Sequence, residues 1–110
     1  MNKVSYLGEL EYMLLLVVLK LGDEAYGLSI REELARVTGR TVARGAAYVT
    51  LDRLEQKGYL RSRMGDAEER RAGRPRRYFA ITSEGTAAVQ ASRDAFERLW
   101  SGVATVLDRP

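Results

Sequence analysis

The apolar pattern changes period at Tyr59, and that switch constrains the fold more than any other feature of the chain. Before it, apolar residues recur at three- and four-residue spacing in three short segments, closed in turn by Gly22, Gly39 and Gly58. After it, Tyr59 to Met64 and Arg76 to Ile81 have the short alternating form of strands, and helical spacing returns from Thr82 or Ser83 to about Leu107. The expected class is mainly α with a small β-hairpin.

In the first segment, Glu9 to Leu21, one stripe carries Leu10, Met13, Leu14, Val17, Val18 and Leu21, while Tyr12, Leu15, Leu16 and Leu19 make the other side apolar too. A helix apolar all round is covered on both sides. The second, from Gly27 or Leu28 to Thr38, turns Ile30, Leu34 and Val37 inward. Thr41 is placed to cap the third, which runs to Lys57 and buries Ala47, Leu51 and Leu54. Two short helices, the second entered through Ala43, Gly45, Ala46 and Ala47, match a helix-turn-helix, and small side chains there let a helix start approach a phosphate or base edge. In the hairpin, Phe79 and Ile81 face the core and Tyr78 and Ala80 face away. The polar loop from Gly65 to Pro75 carries Arg70, Arg71 and Arg74 and forms a wing.

The last segment sets Val89, Phe96, Leu99, Trp100, Val103, Val106 and Leu107 in a helical stripe. A helix of about 25 residues is roughly 37 Å long, more than one small domain needs, so a partner helix is the economical cover for it. Residues 1–110 are thus expected to form a single winged helix-turn-helix domain, with 82–107 as its C-terminal dimerisation helix. Leu15 and Leu19 of the first helix, with Phe96, Leu99, Trp100 and Val103 of the last, are assigned to the dimer or effector interface. Trp100 itself has three readings: dimer core, floor of an aromatic pocket between subunits, or core within one subunit.

Charge is unevenly spread. Between Arg36 and Arg77 twelve basic residues face five acidic ones, an excess of seven; with a net charge of +3 overall, the rest of the chain stands at −4. A basic middle between acidic ends is what one nucleic-acid face produces. Arginine outnumbers lysine fifteen to three, which suits bidentate contacts to phosphate or guanine, although a GC-rich genome gives the same bias. Arg40, Thr41, Arg44, Gly45, Ala46, Tyr48, Val49 and Thr50 at the front of the third helix are the expected DNA contacts. Arg70, Arg71, Arg74, Arg76 and Arg77 are their counterparts on the wing. Against this stand an ordinary solvated helix with Tyr48 in the core, and a solvated hairpin whose Asp66, Glu68 and Glu69 weaken its attraction for phosphate.

Cysteine and histidine are both absent, which removes thiolate chemistry, the usual general base and the commonest metal ligands. Asp52 with Glu55, or Glu68 with Glu69, has neither a nucleophile nor a histidine beside it, so no enzyme, cofactor or metal site is expected. The apolar run Met13 to Leu19 is too short for a membrane span and follows Glu9 and Glu11 rather than basic residues, which points to the cytoplasm.

Three stretches carry a family resemblance: Ala25-Tyr-Gly27-Leu-Ser-Ile30 with Leu34; Gly45 through Leu60; and Gly73-Arg-Pro-Arg-Arg-Tyr78-Phe-Ala-Ile-Thr82-Ser-Glu-Gly85. With the apolar first helix they cover nearly the whole chain, and it resembles the PadR-like transcriptional regulators of the small class with one C-terminal helix. The resemblance implies a homodimer on palindromic double-stranded DNA, usually a repressor, whose effectors are often phenolic acids or aromatic drugs. The chain departs from the family pattern at Val49-Thr50, where Pro-Ala is common, at Ala46-Ala47, and at Phe79, where a second tyrosine is frequent. The expected function is a homodimeric repressor released by a planar aromatic effector; the alternative is a winged-helix adaptor that pairs with another protein.

Overall fold

A computed structural model of the chain describes residues 6–66 and 75–108. The elements are α1 (Glu9–Leu21), a 3₁₀ turn (Gly22–Glu24), α2 (Gly27–Thr38), α3 (Arg44–Gln56), β1 (Leu60–Met64), β2 (Arg77–Ile81) and α4 (Ser83–Leu107). The starts of α1 and α2 are held locally. The Gly8 N–H donates to the Glu11 carboxylate at 2.9 Å ahead of α1, and the Tyr26 N–H donates to Ser29 Oγ at 2.9 Å ahead of α2. Gly39 at φ 76° closes α2 and Gly58 at φ 83° turns the chain out of α3, a conformation that a side chain disfavours.

Thr41 does not cap α3. That helix begins at Arg44, with Ala43 at its N-cap and no side-chain cap. Val42 is buried and its carbonyl accepts a hydrogen bond from Arg31 Nε at 2.9 Å, which pins the turn in front of α3 and leaves Thr41 in solvent. The core is one cluster drawn from all four α-helices and both strands, including Leu14, Leu15 and Val18 of α1, Ile30 and Leu34 of α2, Ala47, Leu51 and Leu54 of α3, Leu60 and Phe79 of the hairpin, and Val89 of α4. Leu15, expected at an interface, is fully buried in the core cluster here, since α2, α3, β2 and α4 all pack on α1. Val37, expected inward, is exposed and lines a shallow groove with Met13, Leu16 and Val17.

β1 and β2 are antiparallel, with Ser62 opposite Phe79 and Arg63 opposite Tyr78. Tyr78 does leave the core face, yet it is buried. The Phe79 N–H donates to the Ala25 carbonyl at 2.8 Å, a bridge pairs Tyr26 with Tyr78, and their rings meet edge to face at 5.6 Å. Arg63 lies over the Tyr78 ring at 4.6 Å, so the outer face of the hairpin is covered as well.

Thr82 joins the hairpin to α4. Its hydroxyl accepts from the Gly85 N–H at 3.0 Å and donates to the Gly58 carbonyl at 2.6 Å, and its own N–H donates to the Tyr59 carbonyl at 3.0 Å. Val89 and Ser92 are the last buried side chains of α4; past them, Phe96 stacks on Tyr12 at 6.4 Å, and Leu99, Trp100, Val103, Val106 and Leu107 are exposed. No helix among the described residues is long and apolar enough to cross a membrane.

The ion pairs that join helices make stability acid-sensitive. Hydrogen bonds from Arg36 and then Lys20 hold the Glu33 carboxyl at about 2, against an ordinary 4.5. Burial pushes Glu11 up, but Lys57 and the Gly8 N–H outweigh it and hold that carboxyl below the usual value. A carboxylate with a depressed folded pKa stabilises fully above its unfolded pKa and loses that contribution as pH falls through the folded one. The thermal midpoint should therefore drop between about pH 4.5 and 2, less steeply in Glu33→Gln; a midpoint constant across that window would contradict these ion pairs.

Candidate nucleic-acid interface

The buried stripe of α3 is Ala47, Thr50, Leu51 and Leu54. Its opposite face presents Arg44, Gly45, Ala46, Val49 and Arg53 to solvent. Val49 is 57% exposed at the middle of that face. Ala43 supplies no side-chain cap to the first N–H groups of α3 and none is given by another side chain among the described residues, and the positive end of the helix lies beside Arg44. A Cβ built on Gly45 would meet nothing within 4 Å, so an extended surface can come close to the helix start. Arg44 lies 5.7 Å from the centre of the Tyr48 ring. Small residues, a cation and uncapped N–H groups together suit a phosphate or a groove edge.

Other expected contacts lie elsewhere. Thr50 is only 7% exposed and its hydroxyl donates to the Ala46 carbonyl at 2.9 Å; it shares the stripe of Ala47 and Leu54. Tyr48 is half-buried, its phenol set so closely over Gly27 that a Cβ there would fall 2.7 Å from Cζ. Arg40 is paired with Glu9 at 2.6 Å. Arg76 lies 4.2 Å over the Tyr26 ring and 3.5 Å from the Tyr78 hydroxyl, at the root of the hairpin. Arg77 turns towards α3 and binds Asp52 at 2.8 Å and Glu55 at 2.6 Å. Hydrogen bonds from Ser62 and then, against burial, from Arg77 hold the Glu55 carboxyl below its usual range. Arg70, Arg71 and Arg74 lie outside the described residues. Arg53 is the addition: it follows Val49 by one helical turn, and that spacing was enough to place it on the same face.

The apolar exit of α4 forms a second surface. Leu99 is 68% and Trp100 61% exposed, with Phe96 and Val103 beside them, and Leu19 is half-exposed on α1. A recess of about 490 Å³ between the N-terminal segment and α4 is lined by Tyr6, Leu7, Ala95, Phe96, Arg98 and Leu99. No group of three or more Asp or Glu among the described residues is placed to hold a metal ion.

The chain matches the Transcriptional regulator PadR-like family over residues 15–91, from within α1 through the hairpin into α4. It belongs to that family. Solved structures similar to this PadR-like chain include a PadR family transcription regulator from Eggerthella lenta DSM 2243, 27% identical, with 89% of this chain and 83% of that one covered and a TM-score of 0.69. Another is a PadR family transcription regulator from Clostridium difficile R20291, 22% identical over 91% of this chain and 99% of that one, TM-score 0.73. A PadR-like transcriptional regulator from Bacillus cereus strain ATCC 14579 is 19% identical over 92% and 93%, TM-score 0.74. These last two identities speak for the fold alone. No curated protein matches the chain. The PadR-like chain is a winged helix-turn-helix transcriptional regulator, a DNA-binding protein and not an enzyme.

Proposed function

We propose that this regulator works in the cytoplasm as a homodimer on palindromic double-stranded DNA, a repressor released by a planar aromatic effector. Residues 1–110 act as one domain, with 82–107 as its dimerisation helix. The observation that carries this reading is the exposed face of α3, where Arg44, Gly45, Ala46, Val49 and Arg53 surround an uncapped helix start. A helix presented in this way enters a major groove with its N-terminal residues at the base edges. Arg44→Ala should lower operator affinity by roughly thirtyfold, the scale of one arginine–base contact of about 2 kcal/mol, and leave the melt unchanged because Arg44 is exposed. Equal operator affinity for the variant and the wild type, measured by fluorescence anisotropy, would remove Arg44 from the interface.

The dimer rests on the exposed stripe from Phe96 to Leu107, too large an apolar surface for a chain to leave in water. Pairing two such helices brings both copies of the single tryptophan, Trp100, towards one seam, a place for a flat apolar ligand. Because α4 follows β2 through Thr82 alone, a wedge between paired helices alters the separation of the two α3 helices. Ligand and operator then weaken each other by one shared factor. A planar aromatic compound that shifts Trp100 fluorescence should reduce operator affinity at saturation; a shift without that loss would leave α4 a dimer seam with an incidental pocket.

A further inference from the structure

Arg77 opens β2, opposite Met64 and on the face that also carries Phe79. That face looks at α3. Each of the three guanidinium nitrogens donates within the chain: Nη1 to Asp52 Oδ1 at 2.8 Å, Nη2 to Glu55 Oε1 at 2.6 Å, and Nε to Ser62 Oγ at 3.2 Å. It also lies 4.8 Å over the Phe79 ring, and its side chain is 28% exposed. Glu55 in turn accepts the Ser62 N–H at 3.1 Å and the Ser62 hydroxyl at 2.8 Å, so one carboxylate ties α3 to both strands. Asp52 lies one helical turn past Val49, half-exposed, at the border of the surface that carries Arg44, Val49 and Arg53.

We infer that Arg77 is a positioning residue for DNA recognition: it fixes the root of the wing to α3 and neutralises Asp52 and Glu55 beside the DNA-facing surface, without touching DNA. This rests on the reading of α3 as the recognition helix. Two carboxylates without their cation would hold an excess of negative charge next to the phosphates of a bound duplex, and the hairpin would lose its charge-assisted hold on the helix that it flanks. A planar fork that spans two carboxylates is a task for arginine; a lysine ammonium is a single point charge on a flexible stem.

The test is operator affinity across a range of salt for the wild type, R77M, R77K, D52N/E55Q and the triple variant R77M/D52N/E55Q. A wild type that bound no duplex would overturn the recognition-helix reading, and the inference with it, before any variant is compared. With wild-type binding in hand, R77M should weaken it by about tenfold, a usual size for coupled neighbours, at an unchanged slope of log K against log salt. In the D52N/E55Q background the same change should cost less than about twofold, since the carboxylates through which Arg77 acts are gone. R77K, whose folding is the least at risk, should still lose several-fold, because it cannot bridge both acids. The inference is overturned if R77M lowers the slope by about 0.9 and costs the same in both backgrounds, or if R77K binds as the wild type does, for a phosphate ligand behaves in those ways.

Discussion

Leu99→Asp should turn the regulator into a 12.4 kDa monomer in sedimentation equilibrium and reduce operator affinity by about two orders of magnitude or more. Leu99 is 68% exposed in the single chain, so aspartate there disturbs little packing within the subunit and the melt of the monomer gives a direct check of its integrity. Across a helix pair the same carboxylate lies against Phe96, Trp100 and Val103 of one copy and their counterparts in the other, a burial without a partner that costs several kcal/mol. The loss on DNA follows from linkage. Two joined half-site readers bind the second half-site at the effective concentration set by the first, and a monomer gives up that gain of about 10²- to 10⁴-fold. A wild type that sediments as a monomer, or a variant that remains a dimer, would show that α4 is not the seam.

Gly85→Ala should be strongly destabilising. A Cβ at Gly85 would lie 2.8 Å from Ile81 Cγ1 and 3.0 Å from the Tyr59 carbonyl carbon, with the carbonyl oxygen closer still. The obstacle is backbone, and that backbone holds the Thr82 N–H, so α4 and the hairpin must part to make room. Overpacking of this kind costs about 3 kcal/mol, which for a domain of this size lowers the melting temperature by roughly 10–20 °C. Gly45→Ala is the control. Its Cβ meets nothing and its helix gains from alanine by up to about 1 kcal/mol, so it should melt at or above the wild type. Similar melting temperatures for the two variants would contradict the close contact of α4 with the hairpin.

The helices and their glycine stops were legible because burial stripes and left-handed turns are local properties, and the start of the last helix at Thr82 or Ser83 follows from the same logic. What covers the far side of an element is not local. Alternation told that Tyr78 leaves the core face, but the Tyr26 ring that meets it comes from before α2. Leu15 was assigned outward because α1 is apolar all round; the monomer covers Leu15 and leaves Leu16 and Leu19 half-exposed, a division that depends on the helix packing. Two of the expected DNA contacts lie on inward faces that the pattern itself marks. Thr50 shares the buried stripe of Ala47 and Leu54, and Arg77, two residues before Phe79, shares its core-side face. A hydroxyl and a guanidinium suggest DNA contact by residue type, whereas the spacing of both residues points inward. The pairing of Arg77 with Asp52 and Glu55, across more than twenty residues of chain, needed the fold.

Hydroxyl-radical footprinting of the purified protein on DNA from upstream of its own gene tests the central claim most directly. Two α3 helices related by a two-fold axis should give two protected patches on one face of the duplex, centred about 34 Å apart and fading together as salt rises. An absence of protection even at low salt, or a single patch saturated by one chain, would contradict the reading of α3 as the recognition helix of a dimer.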